Sequence, residues 1–136
     1  MGIINWFMQR LLWKEARRLA KEVKMIYAKA KSENPNASDK EILLGTFDKD
    51  SLSKMSESSR KRIETCCETV QGFCYMIALD IGKFKGMMNL RSLQFTHYMD
   101  KELEALKFPP QSKKQKERIL AAMELNIDGW DEITGD

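Results

Sequence analysis

Three cysteines lie within nine positions of the chain, at Cys66, Cys67 and Cys74. Cysteine thiolates can bind metals or act as nucleophiles, and Cys67 and Cys74 are spaced two helical turns apart on one face. However, the set contains no CxxC pair, no histidine lies near it, and adjacent cysteines on one helix cannot form an undistorted disulfide. We therefore interpret all three as buried core residues of a protein in a reducing cytoplasm.

His97 is the only histidine, and a histidine can perform acid–base catalysis near neutral pH. Asp100 and Lys101 lie within one turn of it on a predicted helix. No serine-based triad or second metal ligand is discernible around it. His97 is therefore interpreted as a polar residue at the edge of the core that hydrogen-bonds a carboxylate.

Carboxylates offer one further possibility, because Glu64 and Glu68 are spaced like half of a di-metal site in a helical bundle. The Glu-x-x-His pairs of such sites are missing, so we expect both to face solvent near Arg60 and Lys61.

Asp80 lies between Leu79 and Ile81 and must be paired if it is buried, with Lys83 or Arg91 as the expected partner. The sequence also contains no glycine-rich phosphate loop, nucleophile elbow or zinc-ligand spacing. It therefore predicts a protein that is not an enzyme and needs no cofactor or metal.

The charge of the chain is unevenly distributed. The total of 23 Lys and Arg against 20 Asp and Glu is too balanced to indicate nucleic-acid binding by itself. Residues 1–32, however, contain eight lysines and arginines and only two glutamates, a net charge of +6. No basic residue follows Arg118, and the chain ends in an acidic set: Glu124, Asp128, Asp131, Glu132 and Asp136. The charge is therefore polarised from end to end.

Apolar residues recur with helical spacing along most of the chain, which is long enough for one domain. A first helix is predicted over 3–31, and a short helix starts from a capping box of Ser38 and Glu41. A loop follows over 49–59, with room for a turn of helix near Leu52 and Met55, and then one long buried helix that ends near Ile81. A break at Gly82 and Gly86, a further helix, and a last helix from near Ser112 to a turn at Asp128-Gly129 complete the pattern. Short links between the helices favour antiparallel neighbours.

The predicted fold is all-α: an irregular up-and-down bundle of about four main helices with a long, basic, amphipathic N-terminal helix. We expect one domain over 1–136, made of the first helix (1–32), the central helices (38–107) and a C-terminal helix with an acidic tail (112–136).

The first helix has two apolar faces at about 100° per residue. One face is expected in the core and holds Leu12, Trp13, Ala16, Leu19, Ala20, Val23, Ile26, Tyr27 and Ala30. The opposite face begins with Ile3, Ile4, Phe7, Met8 and Leu11 and continues with Lys14, Arg18, Lys21 and Lys29. If the helix is straight, the second apolar group points into water, where such a cluster is unfavourable without a partner.

The sequence therefore predicts a non-catalytic protein that acts through its first helix on an anionic membrane surface or a protein partner, including a second copy. Tryptophans at 6 and 13 and the neighbouring basic residues suit a lipid headgroup zone. The predicted contact residues are Ile3, Ile4, Trp6, Phe7, Arg10, Leu11, Lys14 and Arg18. The expected location is the cytoplasm, with peripheral contact at the inner membrane face.

Two alternatives remain open from the sequence. The first helix could bend near Arg10, so that residues 3–11 cap the open end of the bundle. The chain could instead be a small nucleic-acid-binding protein that uses its basic first helix, or a basic run made of Lys113, Lys114, Lys116 and Arg118.

Overall fold

The computed structural model describes residues 2–126, which contain seven α-helices, one π-helical segment and no strand. The elements are α1 (Ile3–Glu33), α2 (Asp39–Leu44), α3 (Lys49–Lys54), α4 (Glu57–Cys66), α5 (Val70–Met76), the π segment (Ile77–Ile81), α6 (Asn89–Ala105) and α7 (Lys113–Ala122). The prediction of an all-helical bundle with a long first helix is confirmed. The predicted turn at Asp128-Gly129 and the acidic residues from Asp128 onward lie outside the described residues.

The first helix, α1, runs for 31 residues without interruption, about 46 Å at 1.5 Å per residue. The helix is continuous through Arg10, the position at which a bend was the open alternative. Its core side buries apolar side chains at the predicted spacing: Leu12, Ala16, Leu19, Ala20 and Val23. Of the other residues expected on this side, Trp13 and Ile26 are exposed, and Tyr27 and Ala30 are half-buried.

The short helices begin at polar caps, as their local sequence predicts. Ser38 and Glu41 form the expected reciprocal capping box at the start of α2, and Ser112 caps α7. The stretch 49–59, predicted as a loop with room for a turn of helix near Leu52 and Met55, contains α3 and the start of α4. Asp48 and Ser56 each accept a hydrogen bond from the first turn that follows them.

The predicted long central helix is interrupted, and this is a correction to the sequence-based expectation. At Thr69 the backbone is extended, and the threonine Oγ1 accepts a hydrogen bond from the Gly72 N–H at 2.8 Å, so a new helix starts there. A Cβ on Gly72 would lie 2.5 Å from the Cys66 carbonyl oxygen and 2.8 Å from Ile119 Cδ1. Glycine therefore allows α4, α5 and α7 to meet at this corner.

The helices α1 and α6 pack extensively against each other and run in the same direction. Trp13 contacts Tyr98 and Glu102, Arg17 pairs with Glu102, and Lys24 donates to the Leu106 carbonyl, so contacts advance together along both helices. The preference for antiparallel neighbours does not govern this pair, because four other helices separate α1 from α6 in the sequence. Both helices consequently begin at the same end of the bundle.

Candidate functional site

The first three turns of α1 present large apolar side chains to solvent. Ile3 and Ile4 are 76% and 81% exposed, and Phe7 and Leu11 are 56% and 44% exposed. They follow the helical spacing that the sequence indicates, on the side of α1 opposite Leu12 and Ala16. We call the set Ile3, Ile4, Phe7 and Leu11 the apolar stripe.

Aromatic and cationic side chains border the apolar stripe. The Trp6 ring is half-exposed and meets Phe7 edge to face, with 5.6 Å between ring centroids. The Arg10 guanidinium lies 4.9 Å from the centroid of the Trp6 ring, within the range of a cation–π interaction. The structure therefore places an amphipathic indole and a cation directly beside exposed apolar groups.

Trp13, the second tryptophan considered for a headgroup role, is held against α6. Its ring stacks on Tyr98 with 4.5 Å between centroids, and its indole N–H donates to Glu102 Oε2 at 2.6 Å. Because both its ring and its donor are engaged within the protein, Trp13 joins two helices. Of the two tryptophans, Trp6 is therefore the more available for contact.

An open groove of about 980 Å³ runs along this part of α1 and reaches Tyr98 on α6. Its walls combine aromatic rings with cationic side chains: Trp6, Phe7, Arg10, Leu11, Trp13 and Lys14 are among the lining residues. This mixture suits a ligand surface with apolar and anionic parts.

The basic residues of α1 differ in their partners. Arg18 pairs with Glu15 at 2.6 Å and with Glu22 at 2.6 Å, and its hydrogen bond to Glu15 lowers the pKa of that carboxyl. Arg17 lies 3.4 Å from Glu102. Arg18, one of the predicted contact residues, is thus largely neutralised within its own helix, whereas Arg10 and Lys14 are exposed beside the apolar stripe.

Asp80 and His97, the two polar residues singled out from the sequence, each contact neighbouring side chains of the bundle. Asp80 is bound by Arg62 through two hydrogen bonds, of 3.0 and 2.6 Å, rather than by Lys83 or Arg91. His97 is partly buried, and its ring lies 5.9 Å from that of Tyr98. The structure does not bring Asp80 and His97 together in a shared site.

A buried polar network, which the sequence analysis missed, joins α5, α6 and α7. Asp100 accepts hydrogen bonds from the Tyr75 hydroxyl and the Lys116 ammonium, and Gln111 donates to the Tyr75 oxygen at 2.8 Å. Thr69 in turn donates to Gln111 at 2.8 Å. These residues are far apart in the sequence, so no local pattern predicts the network. The one sequence feature that indicates a buried polar group here is Lys116, which lies on the same face of α7 as the apolar Ile119 and Leu120.

Burial controls the protonation of this network. It raises the pKa of Tyr75 well above 10, raises that of Asp100, and lowers that of Lys116. Across residues 2–126, no buried side-chain nitrogen or oxygen lacks a hydrogen-bond partner. Because every polar group of the network has a hydrogen-bond partner within the protein, the network has a structural role and holds the three helices together.

The three cysteines are reduced and buried, as their sequence context indicates. Burial raises the pKa of Cys66 and of Cys67 to about 12, so both remain protonated thiols at neutral pH. Within the described residues, no group of three or more His, Cys, Asp or Glu side chains is placed to hold a metal ion. No helix among residues 2–126 combines the length and the apolar character that a bilayer span needs.

Comparison of the chain with models of protein families, with curated proteins and with solved structures produced no match in any of the three.

Proposed function

We propose that this chain is a non-catalytic interaction protein that binds an anionic membrane surface peripherally through the N-terminal turns of α1. The observation that carries the proposal is the exposure of the apolar stripe on an uninterrupted helix. Fully burying a side chain of this type contributes about 1.5–3 kcal/mol, so four such side chains favour a state in which an apolar phase covers them.

The surroundings of the apolar stripe favour lipid over a purely apolar protein partner. Arg10 and Lys14 flank it, and each basic residue near an anionic bilayer contributes about 1 kcal/mol. Trp6 is an amphipathic ring of the kind found at the headgroup level. Apolar insertion combined with charge attraction gives reversible binding without a lipid anchor.

Binding of nucleic acid through the basic face of α1 or the basic run of α7 is the alternative, and three contacts argue against it. Lys116 is buried on Asp100, and Arg118 pairs with Glu68 at 3.0 Å. On α1, Arg18 is similarly occupied by Glu15. Phosphate binding requires several cations that can reach the backbone together, and these pairs reduce their number.

The test is flotation of the purified protein with anionic and with neutral vesicles, at low and high salt, beside the variant I3Q/F7Q/L11Q. The native protein should float with anionic vesicles and retain part of its binding at high salt, because salt screens charge attraction but not apolar insertion. The three side chains are already partly buried in the free protein, so the variant should lose about 3–5 kcal/mol of apolar contribution, roughly a hundredfold or more in affinity.

Each other outcome has a definite meaning. A native protein that ignores all vesicles overturns the membrane proposal. If binding is lost completely at high salt and is unchanged by the three substitutions, recognition of phosphate groups by the basic residues is favoured instead. A variant that unfolds shows that the apolar stripe belongs to the core. Concentration-dependent self-association abolished by the variant assigns the stripe to a second copy.

A further inference from the structure

A second exposed apolar segment lies at the end of the bundle where α1 begins. It covers 81–91, the connection that leads into α6 and its first turn, and we call it the α6 entry segment. In it Met88 is 73% exposed, Ile81 is 58% exposed and Leu90 is 50% exposed. Because α1 and α6 run in the same direction, the α6 entry segment and the apolar stripe share one end of the molecule.

The segment is fixed to the bundle close to α1. Phe84 is buried, and its ring lies 5.4 Å from that of Phe95 in the core. The carboxyl of Glu15 on α1 has a lowered pKa, first because of its hydrogen bond with Arg18, and the positive charge of Lys83 adds to this effect. Lys83 is therefore within electrostatic range of α1.

Basic residues predominate in the two segments that form this end, and the carboxylates beside them are paired, Glu15 with Arg18 and Asp80 with Arg62. Residues 2–14 and 81–99 together contain five basic residues and no Asp or Glu: Arg10, Lys14, Lys83, Lys85 and Arg91. Exposed apolar side chains also occur further along α1, at Met25 and Ile26, but there the neighbouring sequence and the adjacent α2 carry carboxylates. Among residues 2–126, exposed apolar side chains in segments without carboxylates therefore lie at the end where α1 and α6 begin.

We propose that the α6 entry segment is a second membrane-docking element, which seats this end of the bundle on an anionic lipid surface together with the apolar stripe. Charge complementarity indicates the partner of this surface. A bilayer rich in acidic headgroups attracts the five basic residues, and its acyl region accepts the side chains of Met88 and Leu90. This inference rests on the proposed function and extends the contact from one helix to two.

The experiment measures the affinity of the full chain for vesicles that contain acidic lipids. Two variants alter the segment, M88Q/L90Q in its apolar part and K83Q/K85Q in its charge. A matched control, M25Q/I26Q, removes two exposed apolar side chains elsewhere on the surface. We expect M88Q/L90Q and K83Q/K85Q each to weaken binding by about tenfold or more, and the control to bind like the native protein.

The outcomes separate this inference from the proposed function. If I3Q/F7Q/L11Q abolishes binding while M88Q/L90Q and K83Q/K85Q bind like the native protein, α1 docks alone and the inference is wrong. If the native protein does not bind vesicles, both fail. If M25Q/I26Q weakens binding as much as M88Q/L90Q does, contact is not confined to this end and the inference is also overturned. If M88Q/L90Q does not fold, the vesicle affinity of K83Q/K85Q at low salt tests the inference instead, and an affinity equal to that of the native protein overturns it.

Discussion

Trp13 donates its indole N–H to Glu102 at 2.6 Å and stacks on Tyr98, which joins α1 to α6 across 89 residues of sequence. This contact is one of several that hold α1 along α6, together with those of Arg17 and Lys24. Leu12, beside Trp13, is fully buried, so the apolar stripe emerges on the other side of α1. The orientation of the proposed contact surface therefore depends on the packing of α1 against α6.

The substitution Trp13→Phe tests the contact of Trp13 with α6. Phenylalanine preserves stacking on Tyr98 but removes the donor to Glu102, so we expect the free energy of unfolding to fall by about 1 kcal/mol. Equilibrium urea denaturation measures the change. Glu102→Ala removes the acceptor and also the ion pair with Arg17, so it should cost somewhat more, and the double variant should lose less than the sum of the two single losses. Exact additivity would show that the contact contributes nothing.

The apolar stripe should be dispensable for stability. Its side chains are exposed, so I3Q/F7Q/L11Q should change the free energy of unfolding by no more than about 1 kcal/mol. The fully buried Leu12, one residue further on, provides the matched control, and Leu12→Ala should cost roughly 2–5 kcal/mol. Comparable losses in the two variants would place the stripe inside the core.

The pairing of Asp80 with Arg62 should hold the π segment to α4. Both side chains are mostly buried, so Asp80→Asn leaves the guanidinium with weaker partners and should lower the free energy of unfolding by about 1–2 kcal/mol. Chemical denaturation provides the measurement. Lys83→Gln should have no such effect, because Asp80 is not paired with Lys83. Equal losses in the two variants would contradict the observed pairing.

Stability should decline at alkaline pH because of the buried thiols. Cys66 ionises near pH 9 in the unfolded chain and only near pH 12 in the native state. A group whose pKa is raised by folding contributes stability below its unfolded pKa and loses it as the pH rises toward its native pKa. We therefore expect a loss of about 1.4 kcal/mol per pH unit for this thiol above pH 9. In urea titrations Cys66→Ala should show a correspondingly smaller slope with pH, and an unchanged slope would refute the assignment.

The acidic end of the chain should weaken binding to acidic lipids. Asn126, the last residue that the structure describes, is tied to Asn89 by hydrogen bonds of 2.7 and 2.8 Å at the end of the bundle where α6 begins, and the acidic residues Asp128, Asp131, Glu132 and Asp136 follow it in the sequence. Neutralising four of them by D128N/D131N/E132Q/D136N should raise the affinity for anionic vesicles by up to about tenfold at low salt. Neutral vesicles serve as the control. An unchanged affinity would show that these charges do not reach the surface.

The features that sequence predicted well are local. The capping box of Ser38 and Glu41 needs only residues three apart, and the two faces of α1 follow from a period of 3.6 residues. The interruption at Thr69 was missed because its apolar neighbours continue the helical spacing across the break. The local competition of a threonine hydroxyl for a backbone N–H is invisible to a periodicity argument.

The features that sequence could not predict depend on contacts between distant residues. The partner of Asp80 is Arg62, 18 positions away across the interruption at Thr69. The Tyr75 and Asp100 network assembles only when α5, α6 and α7 pack together. The spacing of the apolar stripe could be predicted from the sequence, but its exposure depends on how α1 packs against α6, which includes the contact of Trp13.

The central claim is that the N-terminal turns of α1 enter a lipid surface, and the fluorescence of Trp6 tests it most directly. The difference spectrum between the native protein and Trp6→Phe isolates this indole from those at positions 13 and 130. With anionic vesicles that carry brominated acyl chains, we expect the Trp6 emission to shift to shorter wavelength and to be quenched. An emission that neither shifts nor is quenched, at lipid concentrations where the protein floats with the vesicles, would show that another surface makes the contact.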